Sequence, residues 1–231
     1  MTQFQPSSGH AVAHADAETR ATFLIQTYLN LLGSICAFAA IEIYLFKSGL
    51  AESIAMALMG TSWLLVLGGF MIVGWLATSA AHRATTMLAQ YGALLGFVLA
   101  ESIIFVPMLY IAQAYAPGVI ESAATVTLVG FAGLTLVAFL SRTDFSFLGS
   151  VLRWGFIIAL VLIVASTLFG FNLGTFFSVA MIALAGGAIL YKTSGIMLHY
   201  PHDRQVAASL ELFASVALLF WYVLQLFLSR R

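Results

Sequence analysis

Charge is what this sequence has least of. Only 8% of its 231 residues are Asp, Glu, Lys or Arg, and 62% are apolar, whereas a soluble domain carries about 25% charged residues. With a mean hydropathy of +1.03, the composition excludes a soluble enzyme and places the chain in a membrane. Nine basic residues balance nine acidic ones, so the chain lacks the basic field that nucleic-acid binding requires. The single cysteine, Cys36, excludes an intrachain disulfide and is expected to be a small packing residue. The first 21 residues hold no apolar stretch of signal-peptide length, and they read as a short disordered tail.

Histidine is missing from where catalysis would need it. The H-E-x-x-H pattern of zinc peptidases does not occur. His10 and His14 sit in the polar tail, and His82, His199 and His202 are expected in loops. A serine intramembrane hydrolase needs a helix-borne base beside its nucleophile, so no enzyme, metal or cofactor is expected. The loop histidines retain one potential role, sensing pH near 6.5.

What the chain does have is length in apolar runs. Seven of them, Phe23 to Phe46, Ile54 to Ala77, Met87 to Ala112, Ile120 to Leu140, Leu148 to Phe169, Thr175 to Tyr191 and Val206 to Leu228, approach or exceed the ~20 residues that cross a bilayer as a helix. The breaks between them, such as Lys47-Ser48-Gly49 and Ala116-Pro117-Gly118, carry turn chemistry. The expected fold is therefore all-α, an integral bundle of seven transmembrane helices over residues 22–231. Short links make the helices alternate in direction. One side then collects Arg20, Arg83, Arg142, Arg153, Lys192 and Arg204, the other Lys47, Arg230 and Arg231. The positive-inside rule favours a cytoplasmic N-terminus and an outer C-terminus. Gly92 with Gly96, Gly130 with Gly133, and the Gly186-Gly187 pair suit close helix contacts. Pro107 should interrupt a backbone hydrogen bond in the third helix.

Ionisable groups at membrane depth cost about 2.5 to 3.5 kcal/mol on insertion scales and are functional candidates for that reason. Glu101 is the clearest, about 14 residues or ~20 Å into the third run; the plain alternative is a neutral carboxyl making one interhelical hydrogen bond. Lys192 ends the sixth run and Glu211 lies early in the seventh, at similar depth, so the two are placed to pair. The alternative is a lysine snorkelling to the interface. Glu42, five residues before Lys47, is explained by snorkelling or a loose interfacial pair. Glu121 opens the fourth helix, where a carboxylate complements the helix dipole.

Two segments together carry a family resemblance. Ser141 to Gly149, SRTDFSFLG, and the closing segment with AILYKTSGIMLH and AASLELFASVALLF resemble the Bax inhibitor-1/YccA family. The opening TYLNLLGSICAFAA, Thr27 to Ala40, is similar to that family's first helix. Within the turn, Asp144 can cap the following helix, Phe145 and Phe147 can sit at the interface beside Ser146 and Leu148, and Gly149 permits close approach. The resemblance implies seven helices in a bacterial cytoplasmic membrane. It also implies one of two activities: a stress-linked regulator that binds a membrane-anchored AAA protease, or a proton-sensitive leak for Ca²⁺ or other cations. The leak-type members latch with two aspartates on the last two helices. At those positions this chain has Lys192 and Ser215, so a latch here would have to be rebuilt from Lys192 and Glu211, one turn before Ser215. The serine resembles the protease-regulating branch.

Overall fold

The computed structural model describes residues 17–84, 86–141, 143–201 and 203–230. The tail through residue 16 with His10 and His14, and also Arg142, His202 and Arg231, lie outside the described residues. Eight helices follow one another among the described residues: α1 (Ala17–Lys47), α2 (Leu50–Met59), α3 (Trp63–Arg83), α4 (Met87–Tyr115), α5 (Val119–Ser141), α6 (Leu148–Phe169), α7 (Gly174–Leu198) and α8 (Gln205–Leu228). All except α2 are long and apolar enough to cross a membrane, which makes the chain a multi-pass membrane protein.

Four boundaries differ from the expected ones. The apolar run from Ile54 to Ala77 is not one helix. Gly60 ends α2 with its N–H on Met56 O, Thr61 Oγ1 donates to Ala57 O at 2.9 Å, and Ser62 turns extended before α3 begins. Hydrophobicity does not register this break, because residues on both sides of it are apolar. At the other end α3 continues to Arg83, so His82 stands in a last helical turn and not in a loop. Helix α7 runs seven residues past Tyr191, to Leu198, which carries Lys192 and Ser194 into the helix. Residues 17–21, expected in the tail, are the first turn of α1.

Helix α8 is the axis of the bundle. It is buried over most of its length and packs on α7, α1, α5, α4 and α3. Apolar side chains run round nearly its whole circumference, as expected of a central helix. Aromatic rings lock the neighbours to it. Phe105 of α4 stacks on Phe220 with centroids 5.5 Å apart and meets Trp221 edge-on at 5.0 Å, and Phe38 of α1 meets Phe105 edge-on at 5.2 Å. Trp63, at the start of α3, stacks on Trp221 at 5.9 Å. Each such pair contributes about 0.5–1.5 kcal/mol beyond its buried area. Pro107 is buried inside α4, which continues through it to Tyr115.

Glycine packing is selective. A methyl on Gly186 or Gly187 would come within 3.3 Å of Leu134 or Leu152, but Gly92, Gly96, Gly130 and Gly133 face open space. The contact expected at those four positions is absent because the stripes turn away from neighbouring helices. The tightest approach is one that spacing did not indicate: Gly155 of α6 lies where a Cβ would meet Leu184 Cδ2 of α7 at 2.5 Å. Cys36 is exposed on α1 and does not pack in the core.

Candidate functional site

Four side chains from three helices and one loop meet at the end of the bundle where α3 and α7 finish and α8 begins. Lys192 of α7 donates to Glu211 Oε2. Tyr200, in the loop after α7, donates its hydroxyl to Glu211 Oε1 at 3.1 Å. His82 Nε2 stands 3.1 Å from the same oxygen and 2.9 Å from the Tyr200 hydroxyl. The loop folds back because Tyr200 lays its ring over Phe23 of α1, with centroids 6.3 Å apart, and against the His82 ring at 6.0 Å. Arg204 fixes the other side of the loop by donating to Ala84 O at 2.9 Å.

The heavy-atom geometry restricts the protons. His82 Nδ1 lies 2.9 Å from Thr78 O, a pure acceptor, so that nitrogen must carry hydrogen. Nε2 faces a carboxylate and a phenol. A doubly protonated ring donates to Thr78 and Glu211 while Tyr200 also donates to Glu211, and every polar atom is satisfied. A singly protonated ring must take the phenol's hydrogen, which removes a donor from Glu211. The four groups therefore share protons as one unit. Burial, reinforced by the neighbouring Glu211 charge, holds the Tyr200 phenol well above its ordinary range, so Tyr200 acts as a donor throughout the accessible pH range.

Ser215 does not join them. Its hydroxyl donates to the backbone O of Glu211 at 3.0 Å, an ordinary back-bond within α8. Glu121 lies in the first turn of α5, as expected. Glu42 differs from expectation. Its side chain is buried and neither oxygen has a partner among the described residues, so it neither snorkels nor pairs with Lys47.

Glu101 lies far from the cluster, midway along α4, and is only 6% exposed. It lines a cleft of about 970 Å³ that runs between α3 and α6 over a floor of α4 and α8. Along α8 the cleft is lined from Ala214 to Ser229, a rise of ~22 Å. At its inner end stand Thr78 and Ala214, one helical turn from His82 and Glu211 respectively. The cluster thus sits where the cleft stops.

The Asp144 turn is built as a clamp on α7. Asp144 Oδ1 accepts the Ser146 hydroxyl at 2.5 Å and the Ser146 N–H at 2.9 Å, and these bonds hold its carboxyl below the usual range. Helix α6 starts only at Leu148, after Phe147. Asp144 therefore forms an Asx turn ahead of the helix instead of capping it directly. The Phe145 N–H donates to Ser194 Oγ of α7 at 2.9 Å, and His199 Nε2 approaches Asp144 at 3.5 Å. Phe145 and Phe147 pack on one another at 6.2 Å, and Phe147 is exposed. Gly149 brings α6 against Tyr191, whose ring would lie 3.1 Å from an added Cβ. Tyr191, Ser194 and His199 flank Lys192, so the turn fixes the segment that carries the lysine.

A family model described as "Inhibitor of apoptosis-promoting Bax1" matches residues 20–231. The chain belongs to the Bax inhibitor-1 family. A relative from vaccinia virus (strain Lister), named Golgi anti-apoptotic protein, is 27% identical over 225 residues, covering 94% of this chain and 90% of its own. An uncharacterised protein of Pseudomonas aeruginosa is 28% identical over 163 residues, covering 70% and 72%. No solved structure matches the chain. Within this Bax inhibitor-1 fold the Glu211 carboxylate has a lysine, a histidine and a tyrosine as its partners. Sequence reasoning paired Lys192 with Glu211, but Tyr200 carries no signal there. The missing clue to His82 was the continuation of the α3 apolar run to its last turn.

Proposed function

We propose that this protein controls a cation leak, with the cleft as the path and the Lys192–Glu211–His82–Tyr200 cluster as the closure at its end. One observation carries the reading: a charged cluster, tied together across three helices, stands one turn beyond the inner end of a cleft lined over ~22 Å. Closing a path with an ion pair differs from closing it with two carboxylates. Opposite charges attract without a shared proton, so the closure holds at neutral pH, and the lysine ammonium opposes entry of Ca²⁺. His82 gives the cluster its proton sensitivity. The role is non-catalytic. The five described basic residues on the cluster side, Arg20, Arg83, Arg153, Lys192 and Arg204, support a cytoplasmic N-terminus, and the bacterial relative is in keeping with a bacterial inner membrane. The other activity implied by the family resemblance, binding of a membrane-anchored AAA protease in a stress response, would use the polar N-terminal segment, whose residues before Ala17 lie outside the described ones.

The test is Ca²⁺ flux into liposomes carrying the purified protein, from pH 6 to 8, with Lys192→Asp and Glu101→Gln alongside. The parent should leak slowly at neutral pH, Lys192→Asp should leak faster, and Glu101→Gln should change the pH response. Absence of flux in all three proteins across the range would overturn the leak reading and turn attention to protein binding.

A further inference from the structure

The cleft has the chemistry to hold an occupant of its own. Its walls carry many aromatic and thioether groups, among them Trp63, Phe70, Met71, Trp75, Phe177 and Trp221, interspersed with neutral polar side chains such as Asn172 and Gln225, and Glu101 is the single carboxyl among the described lining residues. No Lys, Arg or His stands among them. Among the described residues Glu101 has no hydrogen-bond or ion-pair partner, although only 6% of it is exposed. A carboxyl so placed is costly unless something charged or polar arrives to meet it. A resident Ca²⁺ is a poor complement, since it takes six to eight oxygen ligands, mostly carboxylates and carbonyls, and Glu101 is the single carboxyl on the described lining. Aromatic faces attract cations that have shed their water, and about 970 Å³ lies at the upper end of the range for drug-sized ligands. Access is from the side: α3 and α6 touch only briefly, and Trp75 on the rim is 66% exposed on a surface that faces lipid.

We propose that the cleft between α3 and α6 binds lipophilic organic cations, held by aromatic walls and neutralised by Glu101. The occupant is an amphiphilic amine, quaternary ammonium or phosphonium ion that partitions into the bilayer first and enters laterally. Such a site stands on the cleft and its carboxyl alone and requires no ion flow, so it holds or fails separately from the leak reading. An occupied cleft would also obstruct any leak through it.

Tetraphenylphosphonium is a suitable probe, added to the full chain in non-ionic detergent and followed by tryptophan fluorescence and by equilibrium dialysis. Three of the four tryptophans, Trp63, Trp75 and Trp221, line the cleft, so binding should change the emission saturably. Triphenylphosphine oxide, similar in bulk but uncharged, should bind the parent at least tenfold more weakly, and Glu101→Gln should weaken tetraphenylphosphonium at least tenfold while leaving the uncharged probe unaffected. Equal affinity of the parent for the two probes would overturn the proposal and make the cleft an apolar lipid groove, a result that needs no variant to fold. Unchanged tetraphenylphosphonium affinity in Glu101→Gln would overturn it as well.

Discussion

Breaking the Lys192–Glu211 pair is the perturbation whose size the structure constrains best. The side chains are 31% and 16% exposed, between a surface pair, which contributes 0–1 kcal/mol, and a fully buried one, where removal of a partner costs about 3–5 kcal/mol. Glu211 keeps two other partners when the lysine is lost, because Tyr200 and His82 both address Oε1. Lys192 has no second acidic partner among the described residues. A coupling energy of about 1–2 kcal/mol follows, and the loss should be asymmetric: Glu211→Gln strands the ammonium, whereas Lys192→Met leaves a carboxylate still served by two donors. The assay is a double-mutant cycle of Lys192→Met, Glu211→Gln and the double variant, with thermal unfolding in one detergent. At about 2–4 °C per kcal/mol for a chain of this size, the single variants should melt about 2–8 °C lower, with Glu211→Gln the lower of the two. The double variant should fall short of the sum by the coupling energy. Where the pair forms only in the closed state, the same 1–2 kcal/mol corresponds to a rise in leak of about 5–30-fold, since 1.4 kcal/mol is tenfold. Melting shifts that add within about 0.5 kcal/mol, the ordinary result for independent sites, would refute the reasoning, because the two groups would then not be interacting.

Other outcomes follow from the packing. Gly155→Ala drives a methyl toward Leu184 Cδ2, which must move, and should cost about 1–3 kcal/mol; Gly92→Ala, which meets nothing, should be neutral or raise stability by up to about 1 kcal/mol through helix propensity. Equal melting shifts in the two variants would mean that Gly155 is not the close contact. Ser194→Ala leaves the Phe145 N–H without its acceptor and should cost about 1–2 kcal/mol, while a melting point equal to the parent's would show that the turn is held by other contacts. Asp144 has a carboxyl held below its ordinary range, so its contribution is complete above about pH 4 and is lost as pH falls through the folded value. Asp144→Asn should remove that part of the acid-side decline, and an unchanged melting profile between about pH 5 and 2 would count against it.

The sequence alone determined the membrane, the number of spanning helices and the family, because each of these is written in contiguous residues. A run of some 20 apolar side chains has few options other than a helix in lipid, and the DFSFLG turn is specific over six adjacent positions. It also placed Lys192 and Glu211 at one depth, since a short link between antiparallel helices fixes relative height. What hydrophobicity could not register was the break at Gly60, where apolar residues continue on both sides, or the last turn of α3, where a histidine ends an otherwise apolar helix. Only the tertiary structure decided that His82 and Tyr200, 118 residues apart, share one carboxylate. Rotation about the helix axes settled the rest. It turned Glu42 inward without a partner among the described residues, Gly92 and Gly96 outward into open space, and Glu101 onto the wall of a cleft. Composition fixes whether a helix enters the bilayer; which of its faces meets a neighbour depends on all the other helices at once.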